Sequence, residues 1–228
     1  MEAFLRQSVP GYALLSPAEP GRLPLEARDF GMYVGFLSVW VYLIALGRGR
    51  AKGMPPWWIL LALVIFVCLM GADGINAFLY DLPTLPHLYE PRLELRLATG
   101  LLCGIAFTGI LTPVVNYSLW RENDTRPIIA NWKQFVGGLM ILVVLFAINE
   151  SRLGIFFYPL AIATSASVLI LVGMINMVFL LSLCRKEGLA ATWRDTLNPF
   201  AAGVFFAIIE LGILSLVRYA VLGTAVLP

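Results

Sequence analysis

At 228 residues, with 60% hydrophobic and 13% charged side chains and a mean hydropathy of +0.84, the chain is too apolar for an ordinary soluble domain, in which about a quarter of residues are charged. A net charge of +2 with no dense basic run argues against a nucleic-acid-binding module. Cys68, Cys103, Cys184 and the single His87 are scattered along the chain, which argues against a disulfide scaffold or a shared metal cluster.

The first 29 residues lack the basic start and apolar core of a cleavable signal, so they are expected to remain in the mature protein. Pro10, Pro17, Pro20 and Pro24, with Gly11 and Gly21, break any long helix there, and an irregular segment on the outer surface is expected. A membrane helix needs about 20 mostly apolar residues to cross roughly 30 Å of hydrocarbon. Six stretches qualify, at about 30–46, 57–80, 97–120, 135–148, 157–184 and 199–227. Pro113 lies near the far end of the third, and Asn198-Pro199 reads as the start of the sixth, with Asn as cap and Pro in the first turn. Between the second and third, Pro83, Pro86 and Pro91 stiffen another outer segment. The expected fold class is therefore all-α: a polytopic bundle of six transmembrane helices with irregular outer segments, forming one domain without internal repeats.

Short connections rich in Lys and Arg are held on the cytoplasmic side. Arg48, Arg50 and Lys52 lie in one such loop, Arg121, Arg126 and Lys133 in a second, and Arg185, Lys186 and Arg194 in a third. Against Glu122, Asp124, Glu187 and Asp195 this side carries +5, leaving −3 for the rest of the chain. Both termini are expected outside, with Trp57, Trp58, Trp120 and Trp132 marking the inner interface.

Within the spans, a carboxylate at the bilayer centre costs about 2.5–3.5 kcal/mol even on insertion scales, so such residues face partners or water. Counting about 1.5 Å per residue puts Glu210 near the midplane and Asp73 in the outer third, with Asn76 and Tyr80 on the face of Asp73. Arg218 is expected to snorkel to the outer interface. Arg28 and Asp29 enter from the same side, making a salt bridge from Arg28 or Arg218 to Asp73 plausible. Asp73 and Glu210 read either as proton, cation or lipid-headgroup sites, or as paired or neutral carboxyls that fix packing. Asn116, Asn149 and Asn176 read as joints between helices, and Gly100, Gly104 and Thr108 form a small-residue ladder, as do Ala161 with Ser165 and Ala163 with Ser167.

The stretch from Leu23 to Phe36, with its core Ala27-Arg28-Asp29-Phe30-Gly31-Met32-Tyr33-Val34-Gly35-Phe36, and the later Ala72-Asp73-Gly74 and Leu95-Arg96-Leu97-Ala98-Thr99-Gly100 blocks carry a resemblance. They look like an uncharacterised family of prokaryotic membrane proteins, the domain of unknown function two thousand and eighty-five. The resemblance covers about the first half of the chain and implies a multi-pass protein of a prokaryotic plasma membrane, with no activity to carry over. The family pattern tends to hold a Cys directly before the Ala-Arg pair and a Cys-His pair ahead of a Pro. Glu26 stands at the first place and Arg6-Gln7 near the second, so any metal or redox role of relatives is expected to be lost here. Arg28, Asp29, Tyr33, Asp73 and Arg96 remain of the pattern.

No catalytic residue or metal ligand is assigned, because nucleophile–base pairs, phosphate loops and cofactor motifs are missing. No cofactor is expected, and a bound lipid or pigment stays open. The candidate polar site comprises Arg28, Asp29, Tyr33, Asp73, Asn76, Arg96, Glu210 and Arg218. The first functional expectation is a non-catalytic subunit of a larger membrane complex, partnered by the bilayer and other membrane subunits and not by nucleic acid. The alternative is a transporter or channel for protons, cations or a small solute using Glu210 and Asp73, although no inverted repeat supports alternating access.

Overall fold

A computed structural model describes residues 11–12, 21–22, 25–80, 82, 86, 88–122 and 124–222. The readings placed on Arg6-Gln7, Pro10, Pro17, Pro20, Pro24, Pro83 and His87, and the 223–227 end of the sixth stretch, lie outside them. Gly11–Tyr12 (β1) and Gly21–Arg22 (β2) form a two-residue antiparallel ladder. Six long helices follow: α1 Ala27–Ala45, α2 Trp57–Tyr80, α3 Leu93–Leu119, α4 Trp132–Ser151, α5 Phe157–Leu183 and α6 Leu197–Leu222. A single 3-10 turn, Gly154–Phe156, leads into α5.

Helix starts shift where local chemistry favours it. α1 begins three residues ahead of its apolar run, which brings Arg28 and Asp29 into its first turn. α3 begins at Leu93 and so absorbs Arg96. The Asn131 side chain caps α4 by accepting from Gln134 N at 3.1 Å, while Gln134 Oε1 accepts from Ala130 N at 2.7 Å, a variant of the capping box whose return bond goes to the residue before the cap. α6 starts at Leu197 rather than after Asn198. The first-turn bond runs from Phe200 N to Thr196 O at 3.0 Å, so Asn198 is inside the helix and is not its cap. Pro199 remains in the first turn, where a missing N–H costs nothing.

Five helices, α2 to α6, are long and apolar enough to cross a membrane on those grounds alone. α1 lies alongside α3 in the same direction. A Cβ on Gly31 would stand 2.7 Å from Leu101 N and Leu97 O, and one on Gly104 would stand 2.7 Å from Phe36 N. Thr108 Oγ1 donates to Phe36 O at 3.1 Å. The small-residue ladder of α3 therefore faces α1, and backbones meet where side chains would hold them apart. α1 thus lies level with α3 and is sheathed by its neighbours, a setting in which a helix needs less apolar surface than one that faces lipid. Phe30, Val34, Phe36, Val39 and Leu43 of α1 are all buried.

α3 is the hub, with 67% of its apolar window buried, against 17% for α2 and α4 and 11% for α6. α2 packs on α3, and α6 packs mainly on α5, where Gly173 and Gly203 bring the two backbones together. Inside α3, Pro113 removes the donor that would reach the Gly109 carbonyl.

The three basic connections gather at one end of the bundle. Gly53 bridges Pro127 and Trp120 bridges Ala190, while Lys52 N donates to Asp124 O at 2.8 Å and Arg121 N to Ala190 O at 2.9 Å. Gly47 makes the first of these turns possible. Its φ of 72° permits the paired closing bonds Gly47 N to Ile44 O at 2.8 Å and Arg48 N to Leu43 O at 2.9 Å, a Schellman motif whose left-handed residue glycine supplies without steric cost.

Candidate functional site

At the end opposite the basic loops, Arg28 in the first turn of α1 reaches α2, its Nη2 donating to Asp73 Oδ2 at 2.6 Å. Tyr89, in the connection between α2 and α3, donates its hydroxyl to Asp73 Oδ1 at 2.7 Å. Both oxygens of a carboxylate only 2% exposed are thus engaged. One turn further along α2, Asn76 accepts from Leu88 N at 2.7 Å and donates to Tyr89 O at 2.9 Å. An amide satisfies both a donor and an acceptor of an irregular backbone, which a carboxylate could not. The network ties α1, α2 and the connection into one unit. Arg96 is buried within electrostatic reach of Tyr89.

Arg28, rather than Arg218, therefore holds Asp73. Arg218 is exposed on α6, the helix least embedded in the bundle. Asp29 and Tyr33, a turn apart on α1, are half-buried and contribute no bond to Asp73; Tyr33 packs instead against the apolar cluster that includes Phe36 and Val115. Tyr80, expected on the face of Asp73, ends α2 with 40% of its surface exposed.

Tyr89 was not among the sequence candidates. Burial, followed by its hydrogen bond to Asp73 and the nearby carboxylate charge, pushes its phenol from 10 up to about 12. Losing the proton would leave a poorly solvated phenolate and would also put two negative groups at 2.7 Å. Tyr89→Phe is expected to lower stability by about 1.5–3 kcal/mol, the range for a hydrogen bond to a charged group, read by thermal unfolding in detergent. Because the folded-state value is raised, this contribution is complete below pH 10 and fades as pH climbs through about 12.

Glu210 occupies a second place. Its Oε2 accepts from Asn176 Nδ2 at 3.1 Å, across the antiparallel α5–α6 pair. Side chains lean toward the N-terminus of their own helix, so Glu210 and Asn176 lean toward each other and meet between their Cα positions. Glu210 is about 20 Å from the start of α6, in the middle of the helix. It is also exposed at the bundle surface, separate from the Asp73 network.

The basic end holds a feature absent from the sequence reading. Asn116 donates to Ala51 O at 2.8 Å and accepts from Trp120 Nε1 at 3.1 Å. Lys52 Nζ donates to Trp120 O at 2.8 Å, and the Arg50 guanidinium lies 4.2 Å from the Trp120 ring centre. Trp193 meets Trp120 edge-on at 4.8 Å. Trp57 and Trp132 are 77% and 60% exposed, as interface markers should be, but Trp120 is 2% exposed. Trp120 caps the C-terminal end of α3, at the expected limit of that span, but it is buried there: its indole N–H has a protein partner and its ring a cationic cover. Arg50, Trp120, Glu122, Asp124, Arg126 and Trp193 border a cavity of about 440 Å³. The Asp124 carboxylate there is held below the usual range by paired bonds from Arg126 at 2.8 and 2.7 Å.

Among the described residues no three His, Cys, Asp or Glu side chains converge as metal ligands. Each polar cluster instead joins elements distant in sequence. The packed apolar helices define a multi-pass membrane protein. Residues 20–110 match the family model described as predicted membrane protein (DUF2085), so the family resemblance stands over α1, α2 and most of α3. None of the curated proteins and none of the solved structures matches the chain. The matched region contains Arg28, Asp73, Asn76, Tyr89 and Arg96; Asn176 and Glu210 lie beyond it.

Proposed function

We propose that the chain is a non-catalytic integral-membrane subunit of a larger assembly, its Arg28–Asp73–Tyr89–Asn76 network holding Leu88 and Tyr89 of the outer connection against the bundle. The observation that carries this reading is the saturation of Asp73 by Arg28 and Tyr89. A carboxylate serving as a proton or cation station must exchange partners, whereas this one is buried with both oxygens bonded. The gathered basic connections support placing that end in the cytoplasm and both chain ends outside, in a prokaryotic plasma membrane.

Gently solubilised native membranes, resolved by size, test the reading. The chain is expected to migrate in a complex well above 25.1 kDa plus its micelle. Migration alone, together with proton or cation flux in liposomes that Asp73→Asn abolishes, would establish the transport alternative instead.

A further inference from the structure

The exposed flank of the α5–α6 pair carries a carboxyl group, Glu210, that has no basic partner among the described residues. Glu210 is exposed, at mid-helix, with the neutral Asn176 amide as its described hydrogen-bond partner. Phe206, Ile213 and Val217, at i−4, i+3 and i+7 from Glu210, share its face and are 48%, 54% and 54% exposed. On α5, Phe179 at i+3 and Leu183 at i+7 from Asn176 continue the flank, 65% and 69% exposed. Hydrocarbon suits these apolar neighbours and disfavours the carboxylate.

We propose that this flank docks a transmembrane helix of a different chain carrying Lys or Arg at the depth of Glu210. Charge complementarity selects that occupant over a second copy. Copies sharing one orientation in the bilayer and related by a two-fold axis bring equal depths together, setting Glu210 against Glu210. Arg218, the other charged residue of α6, stands eight residues away, about 12 Å along the axis, and cannot cross to the carboxylate. A partner's ammonium or guanidinium supplies the charge, Asn176 holds the carboxylate toward the groove, and the Phe206, Ile213 and Val217 stripe packs against apolar neighbours on the incoming helix.

The proposal rests on the subunit reading and names the partner's chemistry. Its test places a photoreactive p-benzoylphenylalanine at Ile213 in the full chain, in native membranes, with the same group at Ile75 of α2 as control. Irradiation is expected to join position 213 to a transmembrane peptide of another protein with Lys or Arg at matching depth. Glu210→Gln, which keeps shape and removes charge, should lower the adduct at least about tenfold without altering the purified chain's unfolding temperature. Reversing the basic residue of that peptide to Glu should restore the adduct in Glu210→Lys. A self-adduct, lipid adducts alone, a partner peptide without a basic residue, or indifference to Glu210→Gln each overturns the docking proposal. If the wild-type chain still migrates in a large complex, the subunit reading survives that failure; if it migrates alone, both fall.

Discussion

Gly100→Leu is expected to prevent assembly of the bundle, giving aggregated or proteolysed chain in place of a monodisperse species on size exclusion. A Cβ at position 100 would collide with the Arg28 backbone carbonyl, with Arg28 C and Cα at 3.0 and 3.1 Å. Backbone in a packed helix cannot rotate aside as a side-chain tip can. α1 must therefore move from α3, and moving it draws the Arg28 guanidinium off Asp73. Overpacking a core commonly costs about 1–3 kcal/mol; disrupting the ion pair as well should carry the loss beyond about 3 kcal/mol. Gly71→Leu is the control, since among the described residues no atom of another helix or loop lies within 4 Å of a Cβ there, and it should leave unfolding unchanged. Equal damage from both would mean that leucine disturbs insertion generally rather than the α1–α3 seam.

That seam was legible in the sequence because Gly100, Gly104 and Thr108 recur every four residues in an apolar run, and small residues at helical spacing invite close approach. What it approached was not legible. Gly31 and Gly35 supply the opposing surface from α1, the least conspicuous of the six apolar stretches, because a helix shielded by its neighbours needs less apolar surface than one facing lipid. The Arg28–Asp73 pair followed from counting depth along two helices, which fixed the level of each charge and left Arg218 as a rival. Only the packed structure distinguishes the two arginines: Arg28 bonds Asp73 on α2, whereas α6, which carries Arg218, leans on α5.

Tyr89 and Trp120 show where pattern reading stops. Tyr89 lies in a Pro-containing connection with no periodicity, and its role depends on the chain folding back over Asp73 and Asn76. Trp120 is flanked by charge in sequence and looks like an interface residue, but loops from three parts of the chain close over it. In both cases the decisive partner is distant in sequence: Asp73 is 16 residues from Tyr89, and Ala51 is 65 from Asn116, the residue bonding the Trp120 indole.

Asp73→Asn should produce the second large loss, about 2–4 kcal/mol, with increased protease access to the 81–92 connection. The amide preserves volume but cannot balance Arg28, which is left in a largely apolar environment; breaking a buried pair costs about 3–5 kcal/mol. The lower figure allows for the Arg28 side chain being 19% exposed, so water reaches part of it. Arg28→Met should be at least as damaging, because it strips the cation from an Asp73 that is 2% exposed. The Arg28→Met/Asp73→Leu double variant removes both charges and should recover about 2 kcal/mol relative to the sum of the Arg28→Met and Asp73→Leu losses measured singly. Tyr89 would then lose its charged acceptor, so recovery remains incomplete and Tyr89→Phe becomes nearly neutral in that background. Additive single losses in the cycle, or an undiminished Tyr89→Phe effect in the double variant, would show that the three side chains do not act through the common carboxylate.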